Sequence, residues 1–182
     1  APAGDAQDLR HLARAVAVFY ASPANPQGAV VSHAGWARLI EAARRHNFYL
    51  FADECYSEIY RGDAAPDGVL SAALASGSFD RVIAFNSLSK RSNLAGLRVG
   101  IAAGDPDFLT GWTAFRNMAA PQVPMPSQAV AIAAFNDESH VIENRRLYDE
   151  KYAVAERLLG ATFGAVTPPG GFFLWLDVVR HG

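Results

Sequence analysis

Phe85-Asn86-Ser87-Leu88-Ser89-Lys90-Arg91-Ser92-Asn93-Leu94-Ala95-Gly96-Leu97-Arg98-Val99-Gly100 decides how this chain is read. The run Val82-Ile83-Ala84-Phe85 that feeds into it has the composition of a buried strand. Lys90 then falls in a short polar loop, with Ser87 and Ser89 before it and Arg98 where a second apolar run begins. This layout suits a phosphorylated aldehyde: the amine condenses with the carbonyl, while hydroxyls and a guanidinium hold the phosphate. Only about a dozen residues separate Phe85 from Val99, too few for an ordinary helical crossover between parallel strands. The two strands are therefore expected to run antiparallel, or at most to be joined by a cramped crossover.

Outward from this segment the chain alternates. Ala15 to Tyr20 (AVAVFY) is a continuous apolar run that ends in the loop sequence Ser-Pro-Ala-Asn-Pro-Gln-Gly. Ser32 is placed to cap a helix over 33–46, with Trp36, Leu39, Ile40 and Ala43 on its inner face and Arg38, Glu41, Arg44 and Arg45 towards solvent. Further strands are expected over 48–52, 81–85 and 99–103, strands apolar on both sides and covered by helices: an α/β sheet. Asp105 caps a helix over 106–118, and another follows from Ser127 to Phe135 after a proline-rich break. A long helix is read from Glu138 to Leu159, with Val141, Tyr148, Tyr152, Ala155 and Leu159 on one stripe and Gly160 as its stop. Gly170 to Val178 reads as a strand opening a second, smaller domain, and Trp36 and Trp175 read as core.

Composition excludes several classes of function. With 51% apolar and 19% charged residues in 182, the chain has ample core material, and its net charge of -2 gives no footprint for nucleic acid. The lone Cys55 forms no internal disulfide and fits a reducing, cytoplasmic setting. No apolar run reaches membrane-spanning length, and the first residues lack a signal-peptide layout. The five histidines show no ligand spacing. No G-x-G-x-x-G follows a strand, which disfavours a nicotinamide-binding domain.

In open α/β sheets ligands bind beyond the carboxyl ends of the strands. Asn25, Asp53 with Tyr56, and Ser87 to Lys90 fall at three such ends, and an antiparallel fourth strand would bring Arg98 to the same side. Taken singly each has an ordinary explanation: a solvated lysine, an aspartate turn, Asn-Pro punctuation, a half-buried tyrosine, an arginine paired with a carboxylate such as Asp105. Taken together they must be coincidences in the right order, and that reading fails.

Asn25-Pro26-Gln27-Gly28, Asp53-Glu54-Cys55-Tyr56 and Ser87-Leu88-Ser89-Lys90 with Arg98 resemble the successive signatures of the class I/II aminotransferases, the fold type I enzymes that use pyridoxal phosphate. The wording from Asn86 to Arg98, with Ser139 to Arg145 and Gly170 to Leu176, is similar to succinyldiaminopimelate aminotransferases of lysine biosynthesis. The resemblance implies the central and rear part of a fold type I large domain over 1–137: a mostly parallel sheet with one antiparallel strand and helices on both faces. Residues 138–182 would then be the connecting helix and the start of a small α+β domain. It implies Lys90 as the covalent anchor and proton carrier, Asp53 as partner of the pyridinium nitrogen, Tyr56 and Asn25 on the ring oxygen, and Ser87 and Arg98 on the phosphate. Ser89 is a weaker phosphate candidate.

The same resemblance implies amino-acid and keto-acid substrates, a homodimer, and parts not found here: an upstream phosphate turn, an aromatic residue stacked on the ring, and a later carboxylate-binding arginine. The expectation is a portion of a longer enzyme, with an open sheet edge, uncovered apolar faces and little activity alone. A β-eliminating C–S lyase and a non-catalytic effector-binding domain are the alternatives on the same fold.

Overall fold

The computed structural model describes residue 12 and residues 14–120, 122–176 and 178. Strand β1 is Ala17–Ala21, helix α1 His33–His46, β2 Tyr49–Asp53, α2 Val69–Ala75 and β3 Val82–Ser87. The short helix α3 (Leu88–Arg91) and a 3-10 turn (Ala95–Leu97) lead to β4 (Gly100–Gly104), followed by α4 (Pro106–Ala119), α5 (Met125–Phe135) and α6 (Ser139–Phe163). The sheet order is β1-β2-β3-β4. The first two pairings are parallel, and β3 meets β4 antiparallel with Ser87 opposite Gly100, as the short connection requires.

Local chemistry explains the elements. Ser32 lies in extended backbone and its Oγ accepts the Gly35 N–H at 3.2 Å, starting α1 where the sequence places it. Asn47 ends that helix in left-handed backbone, returning its N–H to Ala43 O. Asp105 caps α4 by accepting from both Asp107 and Phe108 N–H at 3.0 Å. Gly104 is required at the end of β4: its φ is +142°, and a Cβ there would fall 1.9 Å from Val82 O.

Helices pack on both faces of the sheet, leaving Phe19 of β1 and Ile101 of β4 exposed. On one, Trp36, Ile40 and Ala43 of α1 and Val69, Ala72 and Ala73 of α2 bury Leu50, Ala52, Val82 and Ala84. On the other, Phe51 sits edge-on to Phe85 at 5.5 Å and to Phe108 of α4 at 5.3 Å, a geometry that aromatic quadrupoles favour. A second cluster joins Leu88, Val99 and Ala131 with Leu94, Leu97, Val123, Ala134 and Phe135, fixing the α3 turn against α5.

Three expectations are corrected. Helix α6 does not stop at Gly160 but runs to Phe163 and ends at Gly164, whose φ of +77° supplies the reversal. Of the expected strand Gly170 to Val178, residue 177 lies outside the described residues and the others form no strand; Gly170 bridges to Tyr60, and among the described residues the apolar ones have no neighbouring strand with which to build a ladder. Trp175 is consequently 60% exposed, whereas Trp36 is fully buried. Among the described residues no helix is long and apolar enough to cross a membrane.

Candidate active site

The carboxyl ends of β1, β2 and β3 open on one side, and the turns that leave them carry the polar groups. After β1 the chain folds back on itself through Gly28 N–H to Ala24 O at 2.7 Å and Ala24 N–H to Ala29 O at 2.8 Å. This turn presents Asn25, whose Nδ2 donates to Tyr56 Oη at 2.9 Å. Tyr56 is buried, and burial pushes its phenol above the ordinary tyrosine range while the Asn25 bond pulls it back. Asp53 is the last residue of β2, exposed, in register with Ala21 and Phe85, and its Oδ1 accepts the Cys55 N–H at 3.0 Å.

Lys90 is the third residue of α3 and is half-buried. Its Nζ lies 5.0 Å from the centre of the Phe172 ring and 5.8 Å from that of Tyr56. Among the described residues it makes no ion pair and no hydrogen bond, so the amine is held by rings and free to react. Ser87 caps α3 by accepting the Ser89 N–H at 3.1 Å, and its hydroxyl contacts Ser89 Oγ at 2.9 Å and Val99 O at 3.3 Å.

Arg98 follows the 3-10 turn. It lies two residues before β4 in left-handed backbone, φ 58°, with an exposed guanidinium whose Nη1 donates to Ala95 O at 2.9 Å. It adjoins the Ser87 contact through Val99, and it does not pair with Asp105, whose carboxylate is taken by backbone N–H groups including that of Arg81 at 2.7 Å.

Two aromatic residues join the group without having been singled out. Phe172 packs on Tyr56 at 5.3 Å and stacks on Tyr148 of α6 at 5.8 Å and 15°. The phrase Gly170-Gly171-Phe172 was the only trace of this in the sequence. Cys55 sits beside Asp53, but burial and the Asp53 hydrogen bond push its thiol up to about 12, which leaves it a packing residue. Among the described residues no three His, Cys, Asp or Glu side chains gather to hold a metal ion. The arrangement therefore offers a half-buried amine over two rings, a carboxylate on the neighbouring strand end, a paired phenol and a pair of hydroxyls, with Arg98 beside Val99 in the chain.

Comparison with known proteins agrees with this geometry. The family described as Aminotransferase class I and II matches residues 4–181. The 4-dedimethylamino-4-oxo-anhydrotetracycline transaminase OxyQ of Streptomyces rimosus is 40% identical over 163 residues, which are 87% of this chain and 44% of that protein. An LL-diaminopimelate aminotransferase of Maridesulfovibrio salexigens is 30% identical over 162 residues, 87% of this chain and 41% of its own length. The crystal structure of an aminotransferase from Neisseria meningitidis superposes with a TM-score of 0.89 at 40% identity, covering 94% of this chain and 44% of that one. The chain thus spans less than half the length of the relatives it matches. With the family matching almost end to end and the fold agreeing, this chain belongs to the class I and II aminotransferases.

Proposed function

We propose that this chain forms the cofactor-binding part of a pyridoxal phosphate-dependent aminotransferase that moves an amino group between an amino acid and a 2-oxo acid. The observation that carries the proposal is the half-buried Lys90 amine, without an ion pair among the described residues and set over Phe172 and Tyr56, with the Asn25–Tyr56 hydrogen bond beside it. The donor set fits the cofactor: an amine for its aldehyde, a carboxylate for its ring nitrogen, and hydroxyls with a guanidinium for its phosphate.

When bound, pyridoxal phosphate supplies a ring that withdraws electrons from the bonds at the substrate α-carbon. Lys90 would be the base that removes the proton from that carbon and carries it. Asp53, exposed at the strand end and tied at one oxygen to Cys55 N–H, holds the proton on the ring nitrogen. Tyr56, oriented by Asn25, donates to the ring oxygen. Ser87 and Arg98 hold the phosphate, with Ser89 assisting; a single guanidinium nitrogen of Arg98 is engaged, to Ala95, among the described residues.

For substrates we infer N-succinyl-diaminopimelate and 2-oxoglutarate, a step of lysine biosynthesis, supported by the wording from Asn86 to Arg98 and by the diaminopimelate aminotransferase relative. A second reading, an amino transfer to a ketone on a larger ring system, is favoured by the higher identity to the anhydrotetracycline transaminase. The division at 137/138 into a large-domain portion and a connecting segment, a homodimer and a cytoplasmic location belong to the same proposal. The exposed apolar residues of α4 and α5 are compatible with an assembled enzyme.

The test uses the chain's two lysines, Lys90 and Lys151. After incubation with pyridoxal phosphate and borohydride reduction, peptide mapping is expected to find the pyridoxyl group on Lys90 far above exposed Lys151. An equal split between them, or equal total labelling in Lys90→Ala, sinks the proposal. Glutamate formation from 2-oxoglutarate with each candidate donor, in the full-length polypeptide, separates the two substrate readings.

A further inference from the structure

The turn that carries Lys90 is too short to hold itself. Helix α3 has 4 residues, and its C-terminal side leaves through Ser92 and Asn93, the latter in left-handed backbone at φ 55°. A helix of this length has little internal cooperativity and takes its position from what it packs against. The three residues that follow Lys90 each send a side chain to the corner of α5 and α6. Arg91, buried, pairs with Glu138 and donates from Nη1 to Ala134 O at 2.8 Å. Ser92 Oγ contacts His140 Nε2 at 2.8 Å and accepts from Arg91 Nη1 at 3.2 Å. Asn93 Nδ2 donates to Asn144 Oδ1 at 3.1 Å.

The middle link has a defined direction. Asp137 Oδ2 lies 2.9 Å from His140 Nδ1, and hydrogen bonds from Ser139 and His140 hold the Asp137 carboxyl down at about 2. An ionised carboxylate accepts only, so Nδ1 carries the proton towards it, and in the neutral ring Nε2 accepts the Ser92 hydroxyl. Ser92 then accepts from Arg91 on one side and donates to His140 on the other. The chain Asp137–His140–Ser92–Arg91 fixes one rotamer for each member. Helix α6 also carries Tyr148, which stacks on Phe172 above the Lys90 amine. One helix therefore sets both the floor and the roof of the lysine.

We propose that His140, aimed by Asp137 and acting through Ser92, is a positioning residue for Lys90. Through it α6 places the amine over the Phe172 and Tyr56 rings. The functional part of this inference rests on Lys90 being the reactive amine of the proposed transaminase; the placement itself does not.

The test reads placement without cofactor. Reductive methylation with 13C-formaldehyde tags Lys90 and Lys151, and a methylated amine over aromatic faces gives an NMR signal displaced upfield by the rings. Lys90 is expected to show that displacement, and Lys151, 4.7 Å from the Tyr148 ring centre, shows its own; Lys90→Ala assigns the two signals, and free dimethyl-lysine gives the undisplaced reference. His140→Ala and Ser92→Ala should return the Lys90 signal towards the free dimethyl-lysine position, and His140→Gln, which can still accept from Ser92, should restore it. In parallel, the Lys90-to-Lys151 ratio of borohydride-trapped pyridoxyl label should fall about fivefold in His140→Ala, equivalent to losing one ordinary hydrogen bond.

Melting curves select variants that remain folded; if His140→Ala does not fold, Ser92→Ala and Asn144→Ala are read in its place. A displaced Lys90 signal that persists in the folded variants overturns the proposal. So does a Gln variant that behaves like Ala. If the displacement behaves as expected but no variant, nor the parent, traps the pyridoxyl group on Lys90, the transaminase reading fails while the positioning role stands.

Discussion

Replacing Gly28 by alanine tests whether the turn bearing Asn25 is locked to the tail bearing Phe172. Gly28 has φ +69°, and an added Cβ would stand 2.4 Å from both Gly170 O and Pro168 Cβ. Gly62 provides the control, with φ +81° but nothing within 4 Å of an added Cβ. In Gly62→Ala the cost is conformational alone, about 1 kcal/mol once the stiffer unfolded chain is credited. In Gly28→Ala the same cost is joined by overpacking of about 2 kcal/mol, because backbone and a proline ring cannot swing aside. The Gly170 N–H to Gly28 O hydrogen bond of 3.0 Å must also stretch, removing about 1 kcal/mol more. The total is about 4 kcal/mol, or a melting point lowered by about 8–16 °C against about 2–4 °C for the control. Urea unfolding followed by circular dichroism measures both variants. If the two differ by less than about 0.5 kcal/mol, within the usual scatter of surface substitutions, the interlock is not there.

Other perturbations test the charges and the open faces. Cys55 is raised from 9.0 to about 12, so the stability it contributes is complete below pH 9 and is lost as pH rises towards 12. Unfolding curves across that window should show stability declining as pH rises, and the decline should flatten in Cys55→Ala. Glu54 is buried and burial raises its carboxyl above the ordinary 4.5, against the Val69 N–H that it accepts, so stability declines as pH climbs past that value. Glu54→Gln keeps an acceptor for Val69, and should gain about 1 kcal/mol at pH 7 and lose the pH dependence; a loss of stability would show the charge to be needed. Phe19 on outer strand β1 is 75% exposed and Ile132 on α5 is 64% exposed, so this chain alone should associate with rising concentration in sedimentation velocity. Phe19→Lys with Ile132→Lys should shift it towards monomer.

Much of the architecture was legible because it is locally determined. Ser32 before Trp36, Ile40 and Ala43 is a cap followed by a helical stripe, and both signals lie within one turn or two. The antiparallel β3–β4 pair was legible from connection length alone. Legibility failed where the outcome depends on distant partners. Gly160 reads as a stop, yet a glycine inside a helix costs only about 1 kcal/mol and α6 continues over it. The left-handed backbone of Arg98, two residues before β4, has no signal in its own segment. Asn25, Asp53, Tyr56 and Lys90 could be named because each ends or follows an apolar run. Phe172 and Tyr148 could not, since nothing within their own segments records a lysine so far back in the chain.

The tail shows why an apolar run need not become a strand. Its backbone donors and acceptors are spent on the site's own loops: Gly170 N–H to Gly28 O at 3.0 Å, Gly171 N–H to Ile59 O at 2.7 Å, and Arg61 N–H to Pro169 O at 3.0 Å. Buried backbone groups must find partners, and here the nearest ones belong to the turns after β1 and β2. Those two turns carry Asn25 and Tyr56, and the residue that follows the pinned pair of glycines is Phe172. A displacement of the tail would therefore move three of the groups around Lys90 at once, while the turn bearing Lys90 is held separately by α5 and α6. The amine and its aromatic surroundings are thus two bodies that meet at the Phe172 ring, with Tyr148 of α6 stacked on the same ring from behind. That ring is the place where a change in either body reaches the other.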